Sequence, residues 1–167
     1  MKIRNLSLTG LFIAISFIGA NIKLAGSVAF DSMAGFLGTL ILGPAYGALI
    51  GALGHFLTAA TSGFLMSIPV HMIIMIGMAF TMYAYGALYD KISKRSLTQA
   101  NIIAGLAAII INGPLSLLMV MPLVGTGVIA MLPLICLATF LNLVIAQFVY
   151  KFLPESIKLW KSVKSEI

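Results

Sequence analysis

The sequence predicts an all-α polytopic membrane protein of six transmembrane helices, with a short second helix and both termini cytoplasmic. Three observations predict it. The chain of 167 residues is 61% hydrophobic and 8% charged, with a mean hydropathy of +1.13, far from the composition of a soluble domain. Its apolar residues fall into six runs, over residues 6–22, 30–42, 45–62, 69–89, 98–120 and 128–152, and a helix needs about 20 mostly apolar residues to cross the hydrocarbon. The cations collect at the ends of these runs. Six spans with the N-terminus inside put Lys2, Arg4, Lys91, Lys94, Arg95, Lys151, Lys158, Lys161 and Lys164 on the cytoplasmic side and Lys23 alone outside, as the positive-inside rule requires.

The first run follows Lys2 and Arg4 and reads as an uncleaved span, because the chain after it stays hydrophobic. Gly10 and Ala14 stand four apart, as do Ser16 and Ala20, giving small faces for close helix contact within the chain or with a separate membrane subunit. An outer connection over 23–29 leads to the second run, 13 residues rising roughly 20 Å against a hydrocarbon core of about 30 Å. This run is a short or tilted span, or a re-entrant segment; the re-entrant form lowers the best charge split from nine to one to eight to two. Asp31 in "FDSM" suits an N-cap.

Gly43-Pro44 then makes a tight turn, with proline at the first helical position of the third run. In "LGPAYGALIGALGHFL" the residues Gly43, Gly47, Gly51 and His55 fall on one i, i+4 line, continued by Ala59 and Gly63, so a neighbouring helix can approach at backbone distance. His55 has two readings there, a hydrogen bond across that contact or a ligand contact in a cavity. After an outer connection over 63–68, the fourth run opens on Pro69 and carries His71 in its first turn, as a ligand contact or a solvated helix end. The basic loop from Asp90 to Thr98 returns to the fifth run, where Asn112 and Ser116 are one turn apart. A last outer connection, 121–127, precedes the sixth run, with Asn142 near its middle. The tail, 153–167, is mildly amphipathic and reads as lying on the inner membrane surface. The whole chain, 1–167, reads as one membrane domain, and there is no room for a soluble one.

Polar side chains inside a bilayer are costly and face a cavity or another helix. Asp31, His55, Thr58, His71, Asn112 and Ser116 all map to the outer half, which favours one solvent-accessible pocket. Lys23 and Asp31 flank the first outer loop and either pair or grip opposite ends of a polar substrate. Asn142 contacts a ligand or bridges helices. The candidate substrate-binding residues are therefore Lys23, Asp31, His55, Thr58, His71, Asn112, Ser116 and Asn142.

Other chemistries find little support. No phosphate-binding loop of the G-x-x-x-x-G-K-[ST] type occurs, nor H-E-x-x-H or G-x-S-x-G, so the chain is not an enzyme and does not hydrolyse ATP by itself. Cys136 is the only cysteine, which excludes an intrachain disulfide or a redox pair. Two histidines and a carboxylate separated by 16 and 24 residues have no metal-ligand spacing, and no metal or cofactor is expected. The net charge of +6 belongs to membrane topology rather than to nucleic acid. Three readings remain: a binding subunit energised by a partner, a stand-alone ion-coupled carrier or channel with His55 as a proton-titrating gate, and a purely structural membrane subunit.

The stretches "AFDSMAGFLGTLILGPAYGALIGALGHFLTAATSGF" and "SIPVHMIIMIGMAF", after a basic N-terminus and a first helix with small residues, resemble the substrate-binding S components of energy-coupling factor (ECF) vitamin transporters. The resemblance covers residues 5–150 and is most specific over 29–78. It implies six helices, a single vitamin-type ligand near the outer face, and a bacterial plasma-membrane protein. It also implies coupling, through the small face of the first helix, to a separate transmembrane (T) subunit driven by two ATPase subunits, with Gly10 and Ala14 on the docking face. The family's Ala-x-x-x-Ala form is not met there. Cobalt and nickel members carry histidine directly after the initiator methionine, where this chain has Lys2; thiamine binders use intramembrane tryptophan, and the only tryptophan here is Trp160. Residues 30–71 are most similar to the members assigned to cobalamin-related substrates, α-ribazole or the corrinoid, with S components for other vitamins as the alternative. Phe30, Phe56 and Phe64 are then candidates to face the base of such a ligand.

Overall fold

A computed structural model describes residues 3–21, 23–24 and 28–158, with the backbone alone for residues 23, 24, 28 and 29. Six helical rods follow one another: Ile3–Asn21, Asp31–Leu42, Pro44–Thr61, Ile68–Ser93, Leu97–Val124 and Thr126–Phe152. The chain is an all-α polytopic membrane protein. The first, fourth, fifth and sixth rods are each long and apolar enough to cross a bilayer. Their outward faces carry Leu6, Phe80, Ile102, Leu118 and Phe148, apolar side chains that lipid accepts at no cost.

The second helix is short because it begins inside the membrane. Phe30 N–H donates to the Gly19 carbonyl at 3.1 Å, and Ser16 Oγ donates to the Asp31 carbonyl at 2.8 Å. Asp31 therefore stands level with Ser16, five residues or roughly 7.5 Å below the end of the first helix. The connection descends through a two-residue antiparallel ladder pairing Lys23 with Ala29 and Leu24 with Val28. Its Val28–Ala29 strand lies against the first and sixth helices, and non-helical backbone at membrane depth is tolerated where protein covers it. Every residue from Ala34 to Leu42 is buried, and the helix touches the first, third, fourth and sixth helices. A helix apolar all round belongs in such a centre.

Close packing replaces the hydrophobic drive that lipid removes. Gly43, at φ 98°, turns the second helix directly into the third, a conformation open to glycine. A Cβ on Gly51 would meet Met82 Cγ at 2.7 Å and the Met78 carbonyl oxygen at 3.2 Å on the fourth helix, and one on Gly47 would overlap Thr39 of the second. The ladder thus serves two neighbours. Gly54, off its line, abuts Ser16 of the first helix. Of the two small faces expected on the first helix, Ser16 and Ala20 turn inward and are buried, whereas Gly10 and Ala14 are exposed, with nothing within 4 Å of a Cβ built on Gly10.

Several boundaries differ from those expected. The fourth helix runs from Ile68 to Ser93, beyond residue 89, and the fifth continues through Pro122 to Val124. The expected outer connection over 121–127 shrinks to Gly125, after which a 3-10 segment, Thr126–Met131, leads into α-helix Leu132–Phe152. Pro122 stands inside this last helical segment, two residues before its end. The fifth rod is α-helical over Leu97–Ile110, opens into a π turn over Ile111–Leu115, and resumes over Ser116–Val124. Pro114 explains the turn: it lacks an N–H and its ring crowds the preceding carbonyls, and widening relieves both. Ser116 Oγ donates to the Ile111 carbonyl at 3.1 Å across the bulge.

Two apolar clusters fill the bundle. The larger joins Phe36, Ile50, Met82 and Tyr85, with the Phe36 and Tyr85 rings edge-on at 5.1 Å. The smaller, of Val70, Leu117, Val120 and Val128, lies toward the far end. Arg4, Lys91, Lys94, Arg95, Lys151 and Lys158 occupy helix ends and the loop between the fourth and fifth helices, and the two clusters part above the start of the second helix.

Candidate functional site

A cavity of about 230 Å³ opens where the clusters separate, with the N-terminus of the second helix as its floor. Its polar lining is Asp31, Ser32, His55, Asn112, Ser116 and Thr139, and its apolar lining includes Ile74, Met78, Leu117, Val120 and Ile135. Five helices converge on it. The sequence-derived candidates Asp31, His55, Asn112 and Ser116 meet here, joined by Ser32 and Thr139, which sequence reasoning did not single out. Ser32 was adjacent to Asp31, and Thr139 stands three residues before Asn142; neither hydroxyl carried a signal of its own.

Asp31 is the first residue of the helix rather than its cap. Its Oδ1 accepts the Ser32 N–H at 2.8 Å and the Ser32 hydroxyl at 3.2 Å, while its other oxygen has no hydrogen-bond partner among the described residues. The cap comes from elsewhere: Asn142 Oδ1 accepts the Met33 N–H at 2.7 Å, and Asn142 Nδ2 donates to the Ala138 carbonyl at 2.8 Å. Asn142 is 1% exposed and lies outside the cavity lining. It supports the floor from below.

The π turn aims the fifth helix at this space. Asn112 Nδ2 donates to Thr139 Oγ1 at 2.8 Å, and that hydroxyl donates to the Ile135 carbonyl at 2.8 Å. Asn112 Oδ1 is then left as an acceptor without a partner among the described residues. A strictly α-helical path would rotate Asn112 and Ser116 relative to each other. The lining thus presents two uncommitted acceptors, Asp31 Oδ2 and Asn112 Oδ1, and Asp31 is its only carboxylate.

His55 and His71 form a pair. His55 Nε2 lies 3.3 Å from His71 Nδ1, one ring nitrogen donating and the other accepting, with ring centroids 5.4 Å apart. The contact ties the third helix to the start of the fourth, and the Phe64 ring packs edge-on against His71 at 5.8 Å. His55 reaches the cavity and His71 stands behind it; His71 Nε2 is buried without a partner among the described residues. Thr58 is outside the lining and donates to the Gly54 carbonyl at 3.0 Å. Lys23 places its backbone in the ladder, and its side chain lies outside the described residues, as does the tail beyond 158 with Trp160. Phe30, Phe56 and Phe64 do not line the cavity; Phe56 and Phe64 pack on each other at 5.9 Å instead.

The family model described as ECF transporter, substrate-specific component, matches residues 4–155. The chain belongs to that family. No curated protein and no solved structure matches it. As an ECF S component it is the substrate-binding subunit of a transporter rather than an enzyme, and it works with a T subunit and ATPase subunits on a small-molecule substrate. The matched span takes in the six helices, all but Ile3 at the start of the first, and every residue that lines the cavity.

Proposed function

We propose that this S component captures a neutral, hydroxyl-bearing vitamin precursor of the α-ribazole class from the outer side of the plasma membrane. The observation that carries this reading is the pair of uncommitted acceptors, Asp31 Oδ2 and Asn112 Oδ1, in a cavity otherwise walled by Ile74, Met78, Leu117 and Val120. Acceptors of this kind match the hydroxyl donors of a ribose, and the apolar walls match a benzimidazole face. A carboxylate vitamin would meet Asp31 with like charge. The volume of about 230 Å³ lies below the usual range of about 300–1,000 Å³ for drug-sized ligands, which favours a nucleoside over an entire corrinoid. His55 and Ser116 complete the ring of polar contacts, Lys23 is the proposed further contact from the loop before the second helix, and Thr58, His71 and Asn142 support them. The whole chain, 1–167, serves as one binding domain.

Calorimetric titration of the purified chain tests the proposal. α-Ribazole is expected to bind with micromolar or tighter affinity, about −8 kcal/mol, while cobalamin and carboxylate vitamins bind far more weakly. Tight binding of a carboxylate vitamin, or α-ribazole affinity no better than millimolar, defeats it. The His55–His71 contact favours one other reading, an ion-coupled carrier, which predicts flux in liposomes holding this chain alone.

Docking of the T subunit falls to Gly10 and Ala14 on the exposed face of the first helix. Gly10→Leu is expected to abolish co-purification with the T and ATPase subunits and leave ligand affinity unchanged, since nothing among the described residues lies within 4 Å of a Cβ there. Unimpaired assembly would remove this face from the interface.

A further inference from the structure

We propose that the basic end of the bundle holds a phospholipid with an anionic headgroup, seated between the fifth and sixth helices with one acyl chain along the seam. A second cavity, of about 530 Å³, opens at that end, remote from the one described above, and Thr98, Asn101, Gln147, Tyr150, Lys151 and Lys158 are among its walls. A third, of about 210 Å³, runs on from it between Gly105, Leu106 and Ile109 of the fifth helix and Phe140 and Leu143 of the sixth. Asn101, Val144 and Gln147 line both, so the two form one continuous groove, polar and basic at the mouth and apolar beyond.

The dimensions suit one leaflet. From Leu97 at the mouth to Ile109 the fifth helix rises roughly 18 Å, and half of the hydrocarbon core is about 15 Å. Ile102, Leu106 and Phe140 flank the groove and are more than half, or half, exposed, which opens it sideways to lipid. The seam is loosely packed where the others are tight: a Cβ on Gly105 would meet nothing nearer than 3.9 Å.

The mouth suits a phosphate. Lys158 is buried although its partner Glu155, at 2.7 Å, is largely exposed, and its Nζ lies 5.2 Å from the Tyr150 ring centroid. Lys151 has no ion-pair partner among the described residues, so two cations and one carboxylate line the mouth, with Asp90 of the fourth helix close enough to act on Tyr150 from outside it. The first turn of the fifth helix enters the same mouth; Ser96 Oγ accepts only the Gln99 N–H, at 3.3 Å, and the remaining N–H groups of that turn favour an anion. The Asn101 side chain makes no hydrogen bond among the described residues. A soluble phosphate would use the mouth and gain nothing from the apolar groove, whereas a lipid uses both. Basic pockets between helices on the cytoplasmic side suit anionic headgroups.

Native mass spectrometry of the full chain, delipidated in detergent and titrated with phosphatidylglycerol or phosphatidylcholine of equal chain length, tests this. The wild type is expected to retain phosphatidylglycerol about 20-fold more strongly. Lys151→Gln, which breaks no ion pair among the described residues, should reduce that preference about fivefold, and Lys151→Gln with Lys158→Gln should abolish it. Gly105→Met, filling the seam, should weaken both lipids. Equal retention of the two lipids, or a preference untouched by the lysine changes, overturns the proposal. So does lipid binding that appears only after deletion of residues 159–167, since the chain's own tail would then be the occupant, or a dimer in place of a lipid-bound monomer.

Discussion

Asp31→Asn is expected to lower substrate affinity about 10- to 100-fold, the range for losing a hydrogen bond to a charged acceptor, with no loss of thermal stability. The substitution is isosteric. Its amide oxygen can still accept the Ser32 N–H and hydroxyl that Asp31 Oδ1 takes at 2.8 and 3.2 Å, so the start of the second helix keeps its local bonds. The outward oxygen, however, becomes an NH₂ group, and the cavity then presents a donor where the proposed ligand also presents one. Two donors facing each other leave both unpaired once the ligand has displaced water from that position. Calorimetry and a thermal melt on the same preparation separate the effects. Unchanged affinity removes Asp31 from the binding residues; a lowered melting temperature with unchanged affinity makes it a structural group alone.

Gly47→Ala is expected to destabilise the protein severely, by about 1–3 kcal/mol or more, although the change adds one methyl group between two helices. The new Cβ would overlap Thr39 Oγ1 and lie 2.7 Å from Thr39 Cβ and 2.9 Å from Thr39 Cα. Thr39 cannot swing away, because it is 2% exposed and its hydroxyl donates to the Gly35 carbonyl at 2.8 Å. The helices themselves must separate, and Gly43, the single residue joining them, gives little slack. Gly10→Ala is the control, with open space around its Cβ; its melting temperature should match the wild type. A Gly47→Ala protein as stable as that control would show the second and third helices to be further apart than described.

The physics of the bilayer made much of the fold legible. Six apolar runs, cations at their ends and Gly43-Pro44 between two of them suffice to place the rods, because a helix in lipid must satisfy its own backbone and its length is set by membrane thickness. What stayed hidden depends on contacts between distant residues. Nothing near Asp31 indicates that its helix starts level with Ser16, and the spacing of 16 residues between His55 and His71 does not say that their rings touch. Pro114 did carry a local signal, since proline within a helical run disturbs the preceding turn; its consequence, an Asn112 aimed into the cavity, follows only once the sixth helix supplies Thr139. The glycine line was readable as a close contact, but not its division between Thr39 of the second helix and Met82 of the fourth.

The amide that closes the start of the second helix has a consequence for the order of assembly. Asn142 lies 109 residues after Met33, on the sixth helix, which is made four helices later. A helix of 12 residues is too short to cross the bilayer by itself, and its Met33 N–H lacks its partner until that amide arrives. The second helix must therefore enter alongside the third, through the Gly43 turn, and remain provisional while the fourth, fifth and sixth helices are made. The floor of the cavity is laid down early in synthesis and is finished only when the sixth helix arrives.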